Sequence, residues 1–194
     1  MRREQGQKFL LFVYGGILLA VLTVSASAEP KYAQAELRKI LSDKVEQLQE
    51  LTQSSLVIEE VKRQNEKRRS IRRIKELDAL WVKSYEGDIL KKSMQSSDVG
   101  RFIRDLVRFH DSIFSEIFIM DNLGANVAAY PATTDYWQGD AEKWQQAFHE
   151  GKVWFGEVEY DESSDTHAIQ ISVPINDADN TIGVKTGGIK LTYL

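Results

Sequence analysis

The segment Glu116–Pro131, EIFIMDNLGANVAAYP, decides the fold. Two apolar runs flank Asp121-Asn122-Leu123-Gly124, and Asn122 or Gly124 can take positive φ at little cost, so the spacing predicts two strands joined by a turn. Three further strand-like runs follow, Val153–Tyr160, Thr166–Pro174 and Ile182–Tyr193. They are separated by DESSD and NDADN, rich in residues whose side chains bond their own backbone in turns. His167, Ile169, Ile171 and Val173 alternate with Ala168, Gln170 and Ser172, which predicts one wetter face on that strand. Between the second and third strands lies Thr133–Phe148, TTDYWQGDAEKWQQAF, read as a polar loop and then a helix capped by Asp140, with Trp144 and Phe148 four apart on its inner face.

Upstream of the hairpin the period changes. From Lys31 to about Gln64 there is no Gly or Pro, and Leu37, Leu41, Val45, Leu48, Leu51, Leu56 and Val61 recur at helical spacing, which predicts one long helix. Its apolar stripe either packs on its own domain or forms a short dimer seam flawed by Lys44 and Ser55. Lys62–Trp81 reads as a solvated amphipathic helix with Ile71, Ile74, Leu77 and Leu80 on one face, and Asp98 is placed to cap another helix reaching His110. The expected class is α+β: a long N-terminal helical region over residues 29–84, then an antiparallel five-stranded sheet with flanking helices over 85–194.

Residues 1–28 read as a secretory signal, with Arg2, Arg3 and Lys8 before the apolar run Phe9–Val24 and Ala26-Ser27-Ala28 at the cleavage site. Cleavage after Ala28 predicts a periplasmic protein, free of the membrane once the signal is removed. Without cysteine there is no disulfide framework and no thiolate site. The net charge is −4, and the chain without its signal is more acidic still, which excludes nucleic acid as an expected partner. His110, His149 and His167 are far apart in sequence, so no metal is expected, and no catalytic ordering of Ser, His and Asp or phosphate loop is present. No cofactor is expected.

The order of these motifs resembles the extracellular PDC/Cache-type sensor domains of bacterial receptors. SEIFIMDNLGANVAAY resembles the family's opening hairpin, TTDYWQGDAEKWQQAF its pocket loop and helix, and VEYDESSDTHAIQISVPINDADNTIGVKTGGIKL its closing strands. The resemblance implies a PAS-like sheet whose loop and helix flank a ligand cavity. It implies that Tyr136, Trp137 and Trp144 line that cavity while Asp135 and Asp161 orient a small polar ligand. Members that bind amino acids carry an Arg beside the Trp-Tyr pair and an acid on a late strand. Here no Arg follows Arg108, and the late-strand position falls on Gly187 or Gly188, so the resemblance does not extend to an amino-acid ligand. Receptors of this type continue into a signalling module, whereas the sequence stops at Leu194. The expectation is therefore a non-enzymatic binding protein acting on a small polar ligand or a membrane receptor, with a possible homodimer through the N-terminal helix. The competing expectation is an interaction module that associates through that helix and takes no small molecule.

Overall fold

The computed structural model describes residues 34–161 and 166–192, with the side chains of Gln34, Thr52 and Asp161 outside that description. The signal-like segment and most of the DESSD turn lie outside the described residues. In order, the elements are α1 (Gln34–Ile40), α2 (Ser42–Thr52), α3 (Ser55–Glu66), α4 (Ile71–Lys83), α5 (Ile89–Ser96), α6 (Asp98–Phe109), β1 (Phe114–Met120), β2 (Asn126–Tyr130), α7 (Glu142–Glu150), β3 (Trp154–Asp161), β4 (Thr166–Asp177) and β5 (Asn180–Lys190). The five strands form one sheet in the order β2-β1-β5-β4-β3, with every neighbouring pair antiparallel. The α+β expectation holds, including the hairpin turn at Asp121–Gly124, where Gly124 takes φ 78°.

The alternation of side chains along the strands separates two cores. On one face Ile117, Ile119, Ile169, Ile171, Val173 and Ile189 pack with Leu37, Leu41, Leu48, Val57 and Val61 of the first three helices and with Val99, Ile103 and Val107 of α6. Each such buried aliphatic side chain is worth about 1.5–3 kcal/mol. On the other face Phe118, Met120, Ala129 and Val184 pack with Trp144, Ala147 and Phe148 of α7. A third cluster joins Ile74 and Trp81 of α4 to Ala125 and Tyr136.

The N-terminal helical path is broken where a continuous helix was expected. Leu41 keeps helical bonds on both sides, from its N–H to Leu37 and from Val45 to its carbonyl, so α1 and α2 share one ladder. At Ser54 the backbone turns extended, with φ −59° and ψ 123°. The turn allows both sides of the break to reach β5: Leu48 covers Gly187, and Val61 covers Gly183. The stripe of Leu37, Leu41 and Leu48 thus lies against the chain's own sheet.

A second break, between α3 and α4, falls inside Lys62–Trp81, where one amphipathic helix was expected. Arg68 takes φ 44°, and Ser70 then caps α4 by accepting the Arg73 N–H. Two expected caps differ as well. Ser97, not Asp98, caps α6 by accepting the Gly100 N–H, and α7 starts after Ala141 with no side-chain cap, leaving Asp140 outside. Ser97 wins at α6 because its short hydroxyl lies one residue earlier, at the extended position a cap requires.

Candidate functional site

The α7 face of the sheet is only partly covered. Beside α7 the strands leave a hollow of about 340 Å³, walled by Ser115, Glu116, Trp154, Gly156, Glu157, Glu159, Tyr160, Ala168, Gln170 and Gly188. Its size lies within the usual range for small-molecule sites, about 300–1,000 Å³. The wetter face read from the Ala168, Gln170 and Ser172 alternation is this face.

Register explains the floor. Glu116 on β1 stands directly opposite Gly188 on β5, which in turn stands opposite Gln170 on β4. A Cβ at position 188 would lie 2.4 Å from Ser115 Oγ and 2.9 Å from Glu116 Cγ, so only glycine leaves the Glu116 side chain room to lie across the strand. Gln170 donates Nε2 to Glu116 Oε1 at 2.7 Å and accepts at Oε1 from Lys143 Nζ at 3.3 Å. Deeper on the same face, Ser172 and Thr186 share a buried hydroxyl bond of 2.7 Å. The wall is therefore acceptor-rich, with Glu116, Glu157 and Glu159 as carboxylates and Lys143 above them. Burial lowers the Lys143 ammonium from its ordinary range, while Glu116, Asp135 and Glu159 act in the opposite direction.

The aromatic loop before α7 has a different setting. Tyr136 is buried against Trp81, with ring centroids 5.8 Å apart, and its hydroxyl accepts Arg69 Nη1 at 2.7 Å. Arg69 also donates Nη2 to Asp121 Oδ2 at 3.2 Å, and Asp121 accepts the Leu123 and Ala125 N–H groups. Burial raises the Asp121 carboxyl, and those backbone bonds and Arg69 oppose the rise. The N–H groups of Tyr136 and Trp137 both donate to Asp78 Oδ1 on α4, and the Trp137 indole donates to the Leu123 carbonyl. Trp144 is buried, donates its indole to the Asp121 carbonyl and stacks on Phe148 at 4.7 Å and 11°.

Of the residues expected from sequence, Tyr136, Trp137 and Trp144 are thus brought together around Asp121 and Arg69, and none of them is a wall of the hollow described above. Asp135 lends its carbonyl to Asn126, Thr133 and Gln138, and its carboxylate accepts the Thr134 hydroxyl. Asp161 ends β3 beside Tyr160, a wall residue, and its own side chain is outside the described residues. The sequence reading that no arginine accompanies Tyr136 is corrected: Arg69 arrives from the α3–α4 break, 67 positions away. Glu116, Lys143, Trp154 and Gln170 were not singled out. The pattern behind Gln170 was visible as strand alternation, whereas Glu116 depends on a cross-strand register that spacing does not encode. Among the described residues no group of His, Asp and Glu is arranged to hold a metal ion, and no helix is long and apolar enough to cross a membrane.

Residues 37–194 match the family model described as methyl-accepting chemotaxis protein-like, first PDC sensor domain. No curated protein matches the chain. Similar solved structures include the ligand-binding domain of the Pseudomonas aeruginosa PAO1 amino acid chemoreceptor PctC in complex with GABA, at 15% identity and TM-score 0.41, covering 62% of this chain and 61% of that one. The V. cholerae histidine kinase DctB sensor domain matches at 13% identity and TM-score 0.38, covering 80% and 58%. The ligand-binding domain of the Pseudomonas fluorescens chemoreceptor CtaA in complex with L-serine matches at 13% and 0.38, covering 79% and 61%. The chain therefore spans between 58% and 61% of the length of these three structures.

Proposed function

The chain belongs to the methyl-accepting chemotaxis protein-like PDC sensor family, and on that premise we propose that it is an exported, non-catalytic sensor that binds a small polar molecule in the hollow beside α7. The observation that carries this reading is the floor: a half-buried carboxylate, Glu116, laid across Gly188 and fixed by Gln170. Few polar groups held in place within a concave wall that includes a tryptophan are what fix a small ligand's orientation. The residues expected from sequence act around that floor. Trp144 anchors α7 over the sheet, and Tyr136 and Trp137 hold the loop from which α7 springs. The basic, apolar and small-residue order of residues 1–28 supports export to the periplasm.

The competing reading, association through the N-terminal helix, needs an apolar stripe free for a partner. Leu37, Leu41 and Leu48 are covered by the sheet of the same chain, which supports binding over association. A thermal-shift screen of carboxylates, amines and sugars on the purified protein tests the proposal. A ligand at about 100 times its Kd stabilises by about 2.7 kcal/mol, and Glu116→Gln should abolish that gain. A shift that survives Glu116→Gln unchanged, or no shift with any class, would overturn it.

A further inference from the structure

Lys143 stands in the first turn of α7, half-buried over the sheet. Its Nζ lies 3.3 Å from Gln170 Oε1 and 5.2 Å from the centroid of the Phe118 ring. Gln170 passes the contact on to Glu116, and both are walls of the hollow. An aromatic face, an amide oxygen and nearby carboxylates are the groups that recognise an alkylammonium ion. Here they meet an ammonium that the protein itself supplies. The helix does not favour this placement, because the first turn carries the positive end of the helix dipole and repels a cation. Gln170 of the hollow and the Phe118 ring under α7 hold Lys143 where its own helix would not.

We propose that Lys143 determines the specificity of the hollow as a tethered ammonium that fills its cation subsite. The intact site then turns away simple alkylammonium ions, and accepts them once Lys143 is shortened. The bearing on the natural ligand rests on the hollow being the ligand site, whereas the subsite itself is read independently of any natural ligand. The carboxylates whose charge favours the Lys143 ammonium come from three elements: Glu116 from β1, Asp135 from the loop before α7 and Glu159 from β3. The fourth neighbour, β4, contributes the neutral Gln170.

Lys143→Ala deletes three methylenes and the ammonium, a fragment with the shape of n-propylammonium. Adding n-propylammonium chloride to the K143A protein should raise its melting temperature by several degrees in a saturable way and leave the intact protein unmoved. Sodium chloride at equal ionic strength and n-propanol should do neither, and the response should vanish in the K143A/E116Q double variant. Equal responses of K143A and the intact protein would overturn the proposal. Should K143A fail to fold, NMR of the unaltered side chain decides. The Lys143 ε-methylene protons should lie upfield under the Phe118 ring, and Glu116→Gln should lower the pH midpoint at which they titrate. Unshifted protons with an unmoved midpoint would overturn it. Rescue of K143A while no screened molecule binds the intact protein would keep the subsite and remove the ligand-site reading. A ligand seated in the intact hollow with no rescue would do the reverse.

Discussion

Arg69 and Tyr136, 67 positions apart, are joined by a bond of 2.7 Å from the guanidinium Nη1 to the phenol oxygen. The bond ties the break between α3 and α4 to the loop that launches α7, and another Arg69 bond, to Asp121, ties in the β1–β2 turn. The Asp121 side chain is only 3% exposed, so its charge depends on Arg69 and two backbone N–H groups.

Arg69→Met should therefore destabilise the fold by about 2 kcal/mol, since hydrogen bonds to charged groups contribute about 1.5–3 kcal/mol. Tyr136→Phe should cost about 1 kcal/mol. Urea unfolding of both single variants and the double variant should give a coupling of at least about 0.5 kcal/mol, as expected for residues that share a network. Strict additivity would mean that the contact contributes nothing of its own.

Lys185 carries the opposite kind of lesson. It is 1% exposed on β5, its cross-strand partners are Ile119 and Val173, and its Nζ has no hydrogen-bond partner among the described residues. Burial alone drives its ammonium well below the ordinary 10.5. The folded state therefore binds fewer protons than the unfolded state between that lowered value and 10.5, so this group's contribution makes stability rise with pH through the window. Lys185→Met should stabilise by about 1–3 kcal/mol, the cost of an unpaired buried polar group. The gain should be larger at neutral pH than near the upper end of the window, and thermal melts of both proteins across pH measure it. A gain that grows with pH would contradict the assignment.

Neighbouring glycines on β5 should separate binding from folding. Gly188 faces the hollow and Gly187 faces Leu48, whose Cδ2 would lie 2.9 Å from an added Cβ. Gly188→Ala should displace Glu116 and weaken ligand-induced stabilisation with a small change in the unliganded melt. Gly187→Ala should lower the unliganded melt by about 1–3 kcal/mol through overpacking and leave ligand stabilisation intact. Calorimetric melts with and without a ligand distinguish the two.

Much of the fold was legible because its signals are local. The hairpin at Asp121–Gly124, the alternation along β4 and the Trp144–Phe148 spacing each depend on neighbours within a few residues, and each leads to the observed element. The breaks at Ser54 and Arg68 were not legible, because Ser54 and Ser70 suit a cap but also occur within helices, and no Gly or Pro marks either place. They follow from the need of Leu48 and Val61 to reach one strand and of Arg69 to enter the core. The hollow was half legible. Gln170 belonged to a visible pattern, but the pairing of Glu116 with Gly188 is a matter of strand register, and the aromatic loop that drew attention in the sequence turned inward to Trp81 and Asp121 instead.

The most direct measurement uses the four tryptophans as separate reporters, each with one indole N–H signal. Trp154 walls the hollow, whereas the Trp81 and Trp144 indoles are buried and bonded to the carbonyls of Thr133 and Asp121. In a proton–nitrogen NMR titration with a molecule found by the thermal screen, the Trp154 indole and the Gln170 side-chain amide should move together and saturate at one Kd, with Trp81 unmoved. Saturable movement of Trp81 or Trp137 while Trp154 and Gln170 stay still would contradict the placement of the ligand on the α7 face of the sheet.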